Sequence, residues 1–150
     1  MQLTKAQHRP EADSVERTLD IIGDAWTFRI LREAFFGARR FDAFKQHTGA
    51  APNILTDRLK KLVRNGIFDR VQYSAHANRF EYRLTEKGRD LYPMIVLMMR
   101  WGDTWLDDGK GPPLTLIHTP CGHRLDPVLR CDGCGAAIRA QDMTWEARED

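Results

Sequence analysis

Apolar residues recur at helical spacing along the first part of the chain. Val15, Leu19 and Ile22 share one face of a helix that Asp13 or Ser14 caps and Gly23 ends. A second helix begins after the capping residue Asp24, and Gly37 stops it. The apolar faces of both helices predict scaffold that forms a core.

The stretch from Arg39 to Arg70 predicts a short helix, a tight turn and a longer helix. The turn falls at 48–51, and the longer helix runs from Pro52 to Asn65-Gly66. Proline suits the first helical position because its missing N–H would be unpaired there, and glycine suits the position just past the end. Two helices joined in this way have the outline of a helix-turn-helix.

A β-hairpin is predicted directly after the second of these helices. Residues 67–73 have strand propensity, and residues 79–84 alternate between polar and apolar. The small polar residues 74–78, with His76 among them, have the composition of a hairpin tip. The predicted fold class is therefore mainly α with a small β-hairpin wing, a winged helix-turn-helix with its wing at 74–79.

A last long helix is predicted from Thr85-Glu-Lys-Gly88 to about Leu106. Its apolar residues lie nearly all round the helix, which is more than one side of a small domain can cover. A self-complementary homodimer interface is the favoured use, and a ligand pocket is the alternative. Pro93 should kink this helix or restart it.

Positive charge is concentrated around the predicted helix-turn-helix. The whole chain carries only +2, but residues 39–70 hold eight Lys/Arg against three Asp. A basic helix after a tight turn fits the major groove of DNA, whereas the bland alternative is a solvated amphipathic helix. Arg58 lies at the edge of the apolar stripe and could reach either way. The candidate DNA-binding residues are Arg39, Arg40, Asn53, Thr56, Asp57, Arg58, Lys60, Lys61, Arg64 and Arg79.

A short β-rich, ribbon-like appendage is predicted after a Gly/Pro linker at 109–113. The motifs His118-x2-Cys121-Gly and Cys131-x2-Cys134-Gly resemble the two knuckles of a zinc ribbon. His118, Cys121, Cys131 and Cys134 would form a closed, structural zinc site, with His123 competing for the fourth position. The alternative is a hairpin tail with free thiols.

These boundaries predict a flexible arm at 1–12, a winged-helix domain at 13–108, the linker, and the appendage at 114–150. The chain contains no apolar run long enough to span a bilayer and does not begin with a signal peptide, which predicts a cytoplasmic protein without membrane contact. It has no paired carboxylates, nucleophile motif or phosphate loop, so an enzyme is not predicted. The alternative to a DNA-binding regulator is a protein-interaction module that has lost DNA binding.

Several motifs taken together resemble the HxlR-type winged-helix transcriptional regulators over roughly residues 14–106. They are Thr18-Leu-Asp-Ile-Ile-Gly-Asp-Ala-Trp26, Gly37-Ala-Arg-Arg-Phe41, Asn53-Ile-Leu-Thr-Asp-Arg-Leu59, Tyr82-Arg-Leu-Thr-Glu-Lys-Gly88 and Trp101-Gly102. The resemblance implies a homodimeric bacterial repressor or activator, with the helix at 52–65 in the major groove of a palindromic or direct-repeat operator and the hairpin on the flanking backbone.

The resemblance also implies dimerisation through the first helix and the helix after the wing. The residues expected in this interface are Val15, Leu19, Leu91, Ile95, Met98, Trp101 and Trp105. Two departures from the family pattern stand out. Ser14 occupies the position where many members carry a redox cysteine, and Ala77 stands where a wing proline is common. The family names no single effector.

Overall fold

The computed structural model describes residues 13–75, 78–144 and 146, which fall into two compact units. One unit comprises residues 14–95, and the other contains the residues from Val96 onward. The predicted arm at 1–12 lies outside the described residues, as do His76 and Ala77 at the tip of the wing.

Six helices and one hairpin occupy the described part of the chain up to residue 105. They are α1 (Ser14–Ile22), α2 (Ala25–Phe35), α3 (Phe41–Thr48), α4 (Pro52–Arg64), β1 (Phe68–Ser74), β2 (Arg79–Leu84), α5 (Glu86–Arg89) and α6 (Tyr92–Trp105). Helices packed beside an antiparallel hairpin confirm the predicted winged helix-turn-helix.

The core of the first unit is made by the apolar faces of α1 to α4 and the beginning of β1. Its fully buried side chains include Ile22, Ile30, Leu31, Phe44, Leu55, Leu59, Leu62 and Phe68. The rings of Phe44, Phe68 and Tyr82 pack with centroids 6.0 to 6.4 Å apart. Because these rings come from α3, β1 and β2, the cluster fixes α3 against the base of the hairpin.

The hairpin pairs β1 with β2 in antiparallel register, from Phe68 opposite Leu84 to Ser74 opposite Arg79. One extra residue between Gln72 and Ser74 makes a β-bulge, which bends the strand near its tip. The backbone N–H of Tyr82 donates to the carbonyl of Arg39 at 2.7 Å. This bond attaches the segment before α3 to the hairpin.

The single long helix predicted after the wing is two helices, α5 and α6. Pro93 is the second residue of α6, so the helix restarts there and does not merely kink. Proline fits this position because the first-turn N–H groups have no partner within the helix. Thr85 caps α5, and its hydroxyl accepts a hydrogen bond from the N–H of Gly88 at 3.0 Å.

The second unit contains the end of α6 and the appendage. Strands β3 (Ile117–His118) and β4 (His123–Arg124) pair, Arg130 and Ala137 form an isolated bridge, and a 3-10 turn spans Ala140–Asp142. Within this unit, Arg100 Nε donates to Asp126 Oδ1 at 2.7 Å. The division between the units falls inside α6, and the boundaries predicted at 108 and 113 stay predictions. No helix in the part of the chain described by the structure is long and apolar enough to cross a membrane.

Candidate nucleic-acid interface

The turn between α3 and α4 is closed by local hydrogen bonds. Gly49 has φ +69°, and its N–H donates to the carbonyl of Lys45 at 3.0 Å. The buried hydroxyl of Thr48 donates to the carbonyl of Phe44 at 2.7 Å and accepts from the N–H of Ala50 at 3.2 Å. A left-handed glycine and a satisfied buried hydroxyl fix the angle at which α4 leaves the turn.

Helix α4 has the apolar stripe that the sequence predicts. Leu55, Leu59 and Leu62 are fully buried. The opposite face is exposed at Asn53, Asp57, Lys60 and Arg64, and half-buried at Thr56 and Lys61. The candidate base-reading and phosphate-binding side chains of α4 therefore lie on the side away from the core.

Arg58, whose direction the sequence left open, is held within the protein. Its Nε donates to Asp24 Oδ1 at 3.0 Å, and one of its terminal nitrogens pairs with Asp57. Asp24 is the N-cap of α2, so this ion pair joins α4 to the scaffold. Partial burial raises the pKa of Asp24, but hydrogen bonds from Thr27 and Arg58 outweigh it and leave the pKa below the ordinary value.

The wing and the segment before α3 enclose a groove of about 440 Å³. Arg40, Arg70 and Arg79 line it, together with aromatic side chains. The guanidinium carbon of Arg40 lies 4.4 Å from the centroid of the Tyr73 ring, and that of Arg70 lies 3.5 Å from the Phe80 ring. Stacking on rings orients the guanidinium groups, which suits them to phosphate recognition.

The arginines predicted to contact DNA outside α4 differ in whether they also have partners within the protein. Arg39 and Arg79 are exposed, whereas Arg40 Nε also lies 3.6 Å from Glu81 Oε1. Sequence reasoning missed two residues, Arg70 and Asp24. The cross-strand position of Arg70 opposite Tyr82 depends on the hairpin register, which could have indicated it. The pairing of Asp24 with Arg58 spans 34 residues and has no local signal.

The residues predicted for dimerisation divide by exposure. Met98, Trp101 and Trp105 on α6 are 52%, 58% and 70% exposed, and Val15 and Leu19 on α1 are also exposed. Ile95 is only 6% exposed and Leu91 is half-buried, because both pack within their own chain. Ile95 therefore has little surface left for a partner.

The two predicted metal-binding knuckles have the same local turn. The N–H of Gly122 donates to the carbonyl of His118 at 2.8 Å, and the N–H of Gly135 donates to that of Cys131 at 2.7 Å. Both glycines are left-handed, with φ of +72° and +71°. This turn brings the first and second predicted ligand of each knuckle to the same side.

Within each knuckle the predicted ligands are close. His118 Nδ1 lies 3.1 Å from Cys121 Sγ. Hydrogen bonds from the backbone of Cys134 and Gly133, and from the Cys134 side chain, lower the pKa of the Cys131 thiol. Among the described residues, however, no three His, Cys, Asp or Glu side chains are gathered so that they could hold a metal ion. The structure thus brings together each pair but not the full set of four, and His123 is exposed on β4.

Comparison with known proteins identifies the family. Residues 21–110, which include the helix-turn-helix and the wing, match the HxlR-like helix-turn-helix family. The chain belongs to this family. Its relatives are named as transcriptional regulators, so of the two predicted functions the DNA-binding transcriptional regulator is confirmed.

Two relatives match over different lengths. The uncharacterised HTH-type transcriptional regulator Rv3095 of Mycobacterium tuberculosis is 48% identical over 146 residues, covering 97% of this chain and 92% of the relative. The uncharacterised regulator YdeP of Bacillus subtilis is 38% identical over 98 residues, covering 65% of this chain and 77% of the relative.

Solved structures also differ in how much of this chain they match. PA1607, a protein proposed to be a transcription factor, superimposes with a TM-score of 0.82 at 33% identity, covering 94% of this chain and 99% of that one. The redox regulator HypR in its reduced form has a TM-score of 0.57 at 34% identity and covers 61% of this chain and 92% of its own. The three cysteines of this chain all lie between 121 and 134, and Ser14 begins α1.

Proposed function

We propose that this HxlR-like regulator binds a palindromic or direct-repeat operator as a homodimer, with α4 in the major groove. The exposed polar face of α4, backed by three fully buried leucines, is the observation that carries the proposal. A helix held in this way presents its polar side chains as a rigid row, which is how helix-turn-helix proteins read base edges. The wing groove would contact the flanking backbone through Arg40, Arg70 and Arg79.

The residues of this surface would divide into two roles. Positive side chains bind phosphates and supply affinity without sequence preference. They are Arg39, Arg40, Lys60, Lys61, Arg64, Arg70 and Arg79. Asn53, Thr56 and Asp57 would read bases, since an Asn amide pairs with adenine and an Asp carboxylate accepts from cytosine. Arg58 belongs to neither group because two carboxylates engage its guanidinium.

A binding assay with two substitutions tests this division of roles. The duplex is the one that wild-type protein selects from a randomised library, and binding is followed by fluorescence anisotropy at several salt concentrations. Asn53→Ala should relax base preference at one position per half-site. Lys60→Ala should weaken all sequences alike and flatten the salt slope by about one.

Arg32→Ala is the matched control because Arg32 is an exposed cation on α2 that pairs with its neighbour Glu33. It should leave both base preference and the salt slope unchanged. If Asn53→Ala and Lys60→Ala both bound the selected duplex like wild type, the assignment of α4 as recognition helix would fail.

Homodimerisation is supported by the exposed apolar residues of α6. Large side chains such as Trp101 and Trp105 are seldom left so exposed on a monomer in one row. A twofold axis through this region would repeat α4, as a palindromic operator requires. A regulator of this kind acts on the chromosome, which supports a cytoplasmic location and an action without catalysis.

A structural zinc ion is the proposed cofactor of the appendage. The donor set of three thiolates and one imidazole suits tetrahedral zinc, and the contact between His118 and Cys121 and the same backbone turn in both knuckles support the proposal. What zinc would add is the approach of the two knuckles to each other. His118 is proposed as the fourth ligand because of its contact with Cys121, with His123 as the alternative.

A further inference from the structure

The carboxylate of Asp24 joins the beginning of α2 to the middle of α4. Its Oδ1 accepts hydrogen bonds from the N–H groups of Trp26 and Thr27, each at 3.1 Å. Its Oδ2 accepts from the hydroxyl of Thr27 at 2.6 Å, and Thr27 is fully buried. Asp24 is therefore fixed by α2 before it meets Arg58.

Arg58 connects Asp24 to the exposed face of α4. The side chains of Arg58 and Asp24 are 26% and 31% exposed, so the pair is partly shielded from solvent. The other end of the guanidinium holds Asp57, whose side chain is 63% exposed and is a candidate base reader. A continuous series of polar contacts thus runs from Thr27 in the core to Asp57 on the DNA-facing side.

Burial of the leucines holds α4 against the core but leaves small rotations of the helix open, because hydrophobic attraction has no preferred direction. A charge-assisted hydrogen bond does have one. We infer that Arg58 is a positioning residue, which with Asp24 sets the orientation of α4 and of the Asp57 side chain and does not bind phosphate. This inference rests on the proposed function of α4.

The experiment compares four variants on the duplex selected by wild-type protein, with anisotropy measured over a range of salt. Asp24→Asn keeps the helix cap, since Asn caps as well as Asp, but it removes the negative charge. Arg58→Met removes the cation, Arg58→Lys keeps it without the planar fork, and the double variant Asp24→Asn/Arg58→Met completes a cycle. Arg32→Met is the control, because Arg32 and its partner Glu33 both lie on α2.

A positioning role predicts that Asp24→Asn and Arg58→Met each weaken binding by roughly three- to ten-fold, with the salt slope unchanged. The double variant should be no weaker than the worse single variant, because both remove the same interaction. Arg58→Lys should also weaken binding, and Arg32→Met should not. Urea unfolding of each variant verifies that it is folded at the assay temperature.

A direct phosphate contact predicts the opposite pattern and would overturn the inference. Arg58→Met would then lower the salt slope by about one, Arg58→Lys would bind like wild type, and Asp24→Asn would bind as tightly or more tightly. Selective binding by wild type with no change in any variant would also overturn it while leaving the proposed function in place. If wild-type protein selected no preferred sequence, the proposed function itself would fail, and the inference with it.

Discussion

Gly88 lies where the backbone of α5 meets the segment between α4 and β1, and alanine there should destabilise the protein. A Cβ atom added at Gly88 would lie 2.3 Å from the carbonyl oxygen of Ile67 and 3.0 Å from Leu84 Cδ2. The carbonyl cannot swing away freely, because it accepts a hydrogen bond from the N–H of Thr85 at 3.1 Å. The hydroxyl of Thr85 also donates to the carbonyl of Gly66 at 2.6 Å, which ties the same two segments together.

The size of the destabilisation in Gly88→Ala follows from the close contact and from helix propensity. To increase the distance between the Cβ atom and the Ile67 oxygen from 2.3 Å to a tolerable 3.0 Å, α5 must shift by at least the difference between these two distances. Such overpacking costs about 2 to 3 kcal/mol, and the helix propensity of alanine returns up to about 1 kcal/mol. We therefore expect Gly88→Ala to lower the free energy of unfolding by about 1 to 3 kcal/mol and Tm by roughly 2 to 12 °C.

The same substitution at Gly102 is the matched control, with the opposite sign expected. A Cβ added at Gly102, inside α6, would meet no atom within 4 Å. Gly102→Ala should therefore stabilise the protein by about 0.5 to 1 kcal/mol through helix propensity alone. Urea unfolding and calorimetry at one protein concentration measure both variants. A Gly88→Ala protein as stable as wild type would refute the reasoning from close approach.

Three further predictions concern acid stability, assembly and metal. The pKa of Asp24 is lowered in the folded state, so its contribution to stability is present above about pH 4 and is lost as pH falls through the folded pKa. In urea unfolding, the advantage of wild type over Asp24→Asn should therefore shrink below about pH 4. An advantage that grows in acid would contradict this. Trp101→Glu with Trp105→Glu should convert the proposed dimer to a monomer in sedimentation, whereas Phe36→Glu, at another exposed apolar residue, should not. A monomeric wild type would contradict the interface. Purified protein should hold one zinc ion per chain, and Cys134→Ser should abolish zinc binding. Loss of zinc in His118→Ala but not in His123→Ala would identify His118 as the fourth ligand. Absence of metal and of a cobalt–thiolate spectrum would contradict the site.

Most of the fold could be predicted because its signals are local. The cap at Asp24, Pro52 at the start of α4 and Gly66 just past its end each fix the backbone within a few residues of themselves. The apolar stripe of α4 has the helical period, and Leu55, Leu59 and Leu62 are buried as expected. The wing follows from alternation along β2.

The features that the sequence did not predict depend on contacts between residues that are far apart in the chain. Pro93 left two outcomes open, and only the packed structure shows that α5 ends before α6 begins. The period of α6 placed Ile95 and Trp105 on one apolar surface, but it could not tell which of them their own chain would cover. The direction taken by Arg58 depended on Asp24, a residue whose local role as a cap gave no sign of a second partner.

The distribution of charge separates the roles of the two parts of this protein. Similarity to Rv3095 extends over 146 residues and so includes the appendage, whereas that to YdeP extends over 98. Residues 101–150 hold five Lys/Arg against nine Asp/Glu, and the helix-turn-helix region holds the excess of cations. An acidic segment does not gain affinity for a phosphate backbone. The salt dependence of operator binding should therefore come from the winged helix, and the appendage should act through the proposed zinc ion or through exposed apolar side chains such as Leu129 and Met143.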